Sequence, residues 1–287
     1  MSYYKILGFQ KEPFSTSPDP EFFYETKEHE YALTNIMIEL RLKRGLSVIL
    51  GDVGTGKTTL SRKLSQLLKE RDDFILNVIM DPVCESENMF LKQLCRGFEI
   101  PVDILSTSTL ELKEELQRFL LQKGIHDNKT VVLVVDEAQK LDDKSLEILR
   151  VLLNYETNEF KLLQLILFGQ MEFYAKIISI PNFLDRISFK YVLNPLDEQE
   201  TKELIEFRIR QAGYRANTSL FLDEALQEIY FYSRGYPRKI AMICHKALKQ
   251  LVMKNRYVVE RDIIQEIVNQ EIKSGWLKNP ADLLINK

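Results

Sequence analysis

Residues 46–60 have the sequence LSVILGDVGTGKTTL, in which a short apolar run leads into a glycine-rich turn and then into a helical pattern. The turn matches the P-loop pattern G-x-x-x-x-G-K-[ST], and it lies between a predicted buried strand and a predicted helix, as that loop requires. Gly51, Gly54 and Gly56 allow backbone turns that bring N–H groups together at the positive end of the helix, where phosphate binds. This stretch therefore predicts a nucleotide-binding α/β domain.

The P-loop also predicts the chemistry of individual side chains. Lys57 is expected to neutralise the β and γ phosphates of ATP, and the Thr58 hydroxyl is expected to coordinate Mg²⁺. The flanking strand and helix argue against the alternative, a glycine-rich turn with a chance lysine. The nucleotide is predicted to contact nine consecutive residues: Gly51, Asp52, Val53, Gly54, Thr55, Gly56, Lys57, Thr58 and Thr59.

An acidic pair follows a β-branched apolar run at 131–135. Asp136 and Glu137 come at the end of this predicted buried strand, at the edge of an open α/β sheet where ligands bind. Asp136 is expected to hold Mg²⁺, directly or through water, and Glu137 to orient and polarise the water that attacks the γ phosphate. The simpler alternative is that the two residues cap the next helix.

Short apolar runs alternate with helical patterns up to Pro195, and helical patterns alone follow it. This order predicts the α/β class: a P-loop NTPase of the AAA+ type with a parallel five-stranded sheet, helices on both faces, and a small all-helical lid domain after it. Strands are predicted at 46–50, 74–80, 131–135, 162–168 and 189–193. The predicted domains are an N-terminal arm at 1–27 that packs on the core, the nucleotide-binding domain at 28–195, and the lid with a C-terminal helix at 196–287.

Three further polar residues are candidates for sensing the nucleotide. Gln170 follows the fourth predicted strand, where it either senses the γ phosphate or is a solvated amide in a turn. Arg186 precedes the fifth strand, where it either reaches the nucleotide of a neighbouring subunit or is a surface arginine paired with Asp185; Lys190 is another candidate for this role. Arg238 begins a helix after the Gly235-Tyr236-Pro237 turn, where it either folds onto the γ phosphate or lies in water.

Composition restricts the remaining function classes. The 39 basic and 42 acidic residues give a formal net charge of −3, which provides no general attraction to nucleic acid or anionic membranes. The three cysteines lack the spacing of a zinc site, so we expect reduced thiols. No segment has the pattern of a secretion signal or reaches the roughly 20 apolar residues of a membrane span. We therefore expect a cytoplasmic protein without a transmembrane segment.

With these residues in hand, the chain resembles the AAA+ ATPases of the general secretion pathway protein A family, which accompany type II secretion and related type IV pilus systems. The P-loop and the acidic pair are widespread among ATPases, whereas the aromatic arm, the Gly-Gln turn and the Gly-x-Pro-Arg turn narrow the family. The likeness covers nearly the whole chain and rests on residues 4–24, 51–60, 136–139, 152–157, 168–170, 185–187 and 233–240.

The resemblance implies a nucleotide-dependent, ring-like homo-oligomer in which Arg186 acts in trans as an arginine finger and Arg238 acts as a second sensor. Two departures limit what is carried over. Longer family members continue into a membrane span and a peptidoglycan-binding domain, which these 287 residues lack. An arginine that is frequent in the family is replaced here by Lys190, which weakens a role for that position.

Two functions follow as hypotheses. The first is an ATPase that hydrolyses ATP to drive assembly or remodelling of a bacterial envelope machine, such as a type II secretion or type IV pilus system, through an envelope or membrane-anchored partner that recruits it to the inner membrane. The alternative is a DNA-binding ATPase that regulates transposition or another DNA transaction, because transposition regulators look similar in this core. The net charge argues mildly against DNA.

Overall fold

The computed structural model describes residues 2–15, 17, 19–103, 107–180, 182–215 and 219–275. Parts of the predicted arm (Met1, Thr16 and Pro18) and the end of the predicted lid domain (276–287) lie outside the described residues. The chain divides into two units by its internal contacts. The α/β unit comprises Lys27–Val53 and Lys57–Leu193, and the helical unit comprises the described parts of Met1–Thr26, Gly54–Gly56 and Asn194–Lys287.

The α/β unit is built on a five-stranded parallel sheet. The strands are β1 (Leu46–Gly51), β2 (Phe74–Ile79), β3 (Thr130–Val135), β4 (Leu163–Gly169) and β5 (Ile187–Leu193). Their order in the sheet is β2-β3-β4-β1-β5. The strands β1, β3 and β4 are buried along their whole length, which explains their continuous apolar sequences. The predicted fold class is confirmed, and so is each predicted strand to within two residues.

Helices cover the faces of this sheet. Serine or aspartate side chains cap several of them: Ser86, Ser108 and Asp142 each accept a hydrogen bond from a backbone N–H of the first turn. One helix is not predicted by the sequence pattern: Met171–Ser179 is short and buries only Phe173 and Ile177. The helices of the unit are α2 (Lys27–Arg41), α3 (Lys57–Lys69), α4 (Glu87–Gly97), α5 (Thr109–Leu121), α6 (Asp143–Leu152) and α7 (Met171–Ser179).

The helical unit has a core of its own, to which the N-terminal arm contributes aromatic side chains. The Phe14 ring is fully buried and meets the Phe221 ring edge-on, with 6.0 Å between the ring centroids. Phe9 is buried in the same core and stacks on Tyr214 at 5.1 Å. The helices of this unit are α1 (Tyr3–Ile6), α8 (Glu198–Gln211), α9 (Asp223–Ser233), α10 (Pro237–Met253) and α11 (Arg261–Lys273).

A tight turn at Gly235 leads into α10. The backbone N–H of Leu196 donates a hydrogen bond to the Gly235 carbonyl at 2.9 Å, and Gly235 has a φ of +73°. A Cβ atom at position 235 would lie 1.8 Å from the Leu196 carbonyl oxygen, which is far inside van der Waals contact. Position 235 therefore accepts only glycine in this turn.

Within the described part of the chain, no helix has both the length and the apolar composition needed to span a bilayer.

Candidate nucleotide-binding site

The parallel sheet brings the predicted site residues of the α/β unit to one edge. Leu50 of β1 pairs with Gly169 of β4, and Val135 of β3 pairs with Leu167 of β4. The segments that follow these strands start at Asp52, Asp136 and Gln170. Because all strands run in the same direction, these three segments leave the same edge of the sheet, where ligands of open α/β sheets bind.

Lys57 begins α3, and the P-loop backbone holds its ammonium group. Its Nζ donates hydrogen bonds to the carbonyl oxygens of Gly51 and Asp52, both at 2.8 Å. The residue is only 6% exposed. Burial lowers the pKa of Lys57, while the negative charges of Glu137 and Asp136 oppose this shift. The lysine is thus a fixed cation at the start of a helix, which is the geometry that a phosphate-binding loop requires.

Two of the three P-loop glycines have the expected backbone conformation. Gly54 has a φ of +87° and Gly56 a φ of +103°, both in the region that favours glycine. Gly51 differs, because it is the last residue of β1 and stays in the strand. The expectation of an unusual turn at Gly51 is therefore wrong.

Asp136 is buried with one carboxylate oxygen lacking a hydrogen-bond partner. It is 1% exposed, and its backbone N–H extends the β2 pairing by donating to the Ile79 carbonyl at 2.8 Å. Its Oδ1 accepts from the Glu137 N–H at 2.9 Å, and the Thr58 hydroxyl also bonds to the carboxylate. Oδ2 is buried without a partner among the described residues. Burial raises the pKa of Asp136 above its usual range.

The Asp136 carboxylate and the Thr58 hydroxyl are oxygen groups of the kind that bind a magnesium ion. A buried carboxylate oxygen without a partner is costly, and a hydroxyl oxygen beside it completes a pair of hard ligands. The described residues contain no cluster of three or more His, Cys, Asp or Glu side chains that could hold a metal. A site of this composition suits Mg²⁺, which is usually held by one or two carboxylates together with substrate phosphates.

Glu137 has a strained backbone and a hydrogen-bonded carboxylate. Its φ of 52° and ψ of 38° place it in the left-handed region, which is uncommon for a residue other than glycine and is found at functional sites. Its Oε2 accepts a hydrogen bond from Gln139 Nε2 at 2.7 Å. The carboxylate is thus fixed at the sheet edge beside Asp136, although sequence reasoning gave Gln139 no role of its own.

Gln170 directly follows β4 and precedes α7. Its backbone N–H donates to Gln139 Oε1 at 3.1 Å, so Gln139 connects Gln170 to Glu137. The Gln170 side chain makes no capping hydrogen bond to α7. The structure therefore brings the residue to the acidic pair, and its role as a sensor stays a prediction.

Arg186 lies in a short turn before β5, and its partners differ from the expected one. Its Nη2 donates to Asn154 Oδ1 at 2.8 Å, and its Nη1 donates to the Asn182 carbonyl. Among the described residues it makes no ion pair with Asp185. Lys190 is exposed on β5. Their action on a neighbouring subunit stays a prediction.

Arg238 belongs to the helical unit and lies in the first turn of α10. Its backbone N–H donates to the Gly54 carbonyl at 3.4 Å, and Gly54 is grouped with the same unit. A Cβ atom at position 54 would lie 3.0 Å from the Arg238 Cβ. The glycine thus allows a close approach of the Arg238 backbone, while the arginine itself is exposed.

Comparison with known proteins gives two sequence relationships. A family model described as an AAA domain matches residues 40–177. General secretion pathway protein A of Aeromonas hydrophila is 36% identical over 250 residues, which cover 86% of this chain and 44% of that protein. The chain thus spans less than half the length of this relative.

Solved structures give a fold relationship. The crystal structure of Cdc6p from Pyrobaculum aerophilum has a TM-score of 0.66 and 19% identity, covering 86% of this chain and 67% of that one. The Holliday junction branch migration motor RuvB of Thermotoga maritima has a TM-score of 0.55 and 16% identity, covering 86% of this chain and 72% of that one. At these identities the likeness concerns the fold alone.

Proposed function

Because the chain is an AAA ATPase related to general secretion pathway protein A, we propose that it hydrolyses Mg²⁺-ATP to drive assembly or remodelling of a bacterial envelope machine, such as a type II secretion or type IV pilus system. The observation that carries the catalytic part is the partnerless Oδ2 of Asp136, buried beside the Thr58 hydroxyl and next to Glu137. A buried, unsatisfied carboxylate oxygen is retained where a ligand completes it.

The roles of the residues follow from their positions. The P-loop N–H groups and the Lys57 ammonium group bind the β and γ phosphates. Glu137 orients the attacking water and accepts its proton, a contribution of about 10²- to 10⁴-fold for a positioned general base. When bound through Asp136 and Thr58, Mg²⁺ neutralises charge on the phosphate oxygens. Gln170 senses the γ phosphate from the end of β4.

Two arginines are proposed to couple the nucleotide to neighbouring subunits and to the helical unit. Arg186 reaches the nucleotide of an adjacent subunit in a nucleotide-dependent homo-oligomer that is ring-like, and Arg238 reports the γ phosphate to the helical unit. The protein acts at the cytoplasmic side of the inner membrane, where a membrane-anchored partner recruits it. The relationship to general secretion pathway protein A supports this setting.

The test is ATP turnover and particle size of the purified protein, with and without DNA, at low and physiological salt. Wild type should hydrolyse ATP and form ATP-dependent assemblies whether DNA is present or not. Lys57→Ala should abolish turnover, whereas Lys69→Ala, an exposed lysine at the other end of α3, should leave it unchanged. Large assemblies and faster turnover that require DNA would contradict the envelope role and favour the DNA-binding alternative.

A further inference from the structure

Gln139 lies between the acidic pair and the end of β4, and neither the P-loop pattern nor the acidic pair gives it a role. We infer that Gln139 is a positioning residue that holds the Glu137 carboxylate in the orientation needed for hydrolysis and fastens it to the backbone of Gln170. This inference rests on the proposed ATPase function. It adds a residue that acts through Glu137 without touching the nucleotide.

The two partners of Gln139 fix the orientation of its side-chain amide. The Glu137 carboxylate only accepts hydrogen bonds, so it must face the amide NH₂ group, and the observed distance from Nε2 to Oε2 is 2.7 Å. The backbone N–H of Gln170 only donates, so it must face the amide oxygen, and the observed distance from N to Oε1 is 3.1 Å. Both contacts agree with a single amide orientation, and an amide is the group that satisfies both.

The surroundings of Gln139 make this link rigid. Ala138 and Leu141 on either side are fully buried, and residues Ala138–Lys140 form a short helical turn. On the other side, Gln170 is held by β4, which is buried along its whole length. A contact that joins two such fixed segments limits the rotation of the Glu137 side chain, whose backbone is in the left-handed conformation. Fixed orientation of a catalytic group is a major source of rate enhancement.

Substitutions at position 139 separate the two contacts. Gln139→Leu is comparable in size but apolar, so it removes both hydrogen bonds. Gln139→Glu keeps an oxygen for the Gln170 N–H but places a second carboxylate against Glu137. Gln139→Asn keeps the amide on a shorter side chain that reaches only one partner at a time.

We expect kcat to fall about 10- to 100-fold in Gln139→Leu, the size of a hydrogen bond to a charged group, and less in Gln139→Asn. For Gln139→Glu the expected kcat is at or below that of Gln139→Leu.

The control is Gln66→Leu. Gln66 is exposed on α3 and donates a hydrogen bond to the glutamate Glu70 at 3.4 Å, so it reproduces a glutamine-to-glutamate contact away from the site. The expected kcat of this variant equals that of wild type. Binding of a fluorescent ATP analogue to each variant checks that the P-loop is intact.

The experiment measures kcat, KM and nucleotide binding for wild type and these variants. A lower kcat with unchanged KM and binding in Gln139→Leu, partly restored in Gln139→Asn, supports the inference. Unchanged or faster turnover in Gln139→Leu overturns it, since faster turnover would mean that Gln139 holds Glu137 away from the water. Loss of nucleotide binding also overturns it, because the role is then structural. If wild type itself does not hydrolyse ATP, the proposed function fails and this inference fails with it.

Discussion

The groups at the strand ends and the arginines on the turns are held in different ways. Lys57 and Asp136 are 6% and 1% exposed, and each is bonded to the neighbouring backbone. Arg186 lies on a short turn and bonds to Asn154 and Asn182, while Arg238 is exposed at the start of α10. The first group is set in place by the sheet and by the loop that follows β1, and the second depends on turns.

The strand-end groups lie within one chain, whereas the arginines are proposed to act on a neighbouring subunit or on a bound nucleotide. Charges that are fixed before the substrate arrives require no reorganisation during the reaction, so the strand-end groups are suited to bond breaking. Arginines on turns gain their full effect only when a ligand or a neighbouring subunit removes them from water. Changes at the strand ends should therefore act at any protein concentration, and changes at the turns should depend on assembly or on the nucleotide state.

The largest effect is expected for Glu137→Gln. Turnover should fall by about 10³-fold or more at every protein concentration, because the amide cannot accept the proton of the attacking water. ATP binding should be retained. Steady-state phosphate release and equilibrium nucleotide binding measure the two properties. Glu70→Gln, at an exposed position directly after α3, is the control. More than a tenth of wild-type turnover in Glu137→Gln would contradict the role assigned to Glu137.

Arg186→Ala should lower turnover by about 10³-fold, as for an arginine finger, but only under conditions in which the wild type is assembled. Mixing inactive Arg186→Ala with inactive Glu137→Gln should restore activity, because a Glu137→Gln subunit supplies its arginine to a neighbour with an intact glutamate. Arg150→Ala, which removes an arginine bonded to Glu147 on α6, is the control. A mixture that stays inactive although it forms mixed assemblies would place Arg186 outside the trans role.

Arg238→Ala should weaken ATP binding about 10-fold, the lower range for a hydrogen bond to a charged group, and should leave ADP binding unchanged. The reason is that only ATP carries the γ phosphate that this residue is proposed to sense. Titration calorimetry with both nucleotides measures the ratio. Arg238→Lys should recover part of the difference, whereas equal weakening of ATP and ADP binding would show that the side chain does not discriminate the γ phosphate.

The smallest effect concerns stability without nucleotide. Asp136→Asn should raise the free energy of unfolding by about 1 kcal/mol, because a neutral amide loses less than a carboxylate when it is buried without a partner. Arg186→Ala and Arg238→Ala should change it by about 0.5 kcal/mol or less. Urea denaturation in the absence of Mg²⁺ and ATP provides all three values. A destabilised Asp136→Asn variant would mean that the carboxylate is already satisfied in the empty protein.

The fold could be predicted from the sequence because the patterns that indicate it each lie within a short stretch of the chain. The buried runs of β1, β3 and β4 and the glycine-lysine pattern after β1 each occupy a few consecutive residues, so their order along the chain is enough to predict a parallel sheet. The helix α7 was missed because its nine residues bury only two side chains. Short helices give a weak periodic signal.

The contacts within the site were harder to predict from the sequence because they join residues that are far apart along the chain. Gln139 meets Gln170 only because β3 and β4 pair in a particular register, and Arg186 meets Asn154 across 32 positions of sequence. Gln139 was visible only as the fourth residue of the segment Asp136-Glu137-Ala138-Gln139. Distances of this kind depend on three-dimensional packing, and residue patterns do not contain them.

Gly235 has a consequence for recognising descendants of this fold. The clash that any side chain would make with the Leu196 carbonyl is independent of ATP, so a descendant that has lost catalysis would still need this glycine to build its helical unit. In a sequence search, the glycine of the Gly-Tyr-Pro-Arg turn thus indicates that the helical unit is present, whether or not the protein hydrolyses ATP. The neighbouring Arg238 is exposed and carries no such constraint, so we expect it to be lost more readily than the glycine.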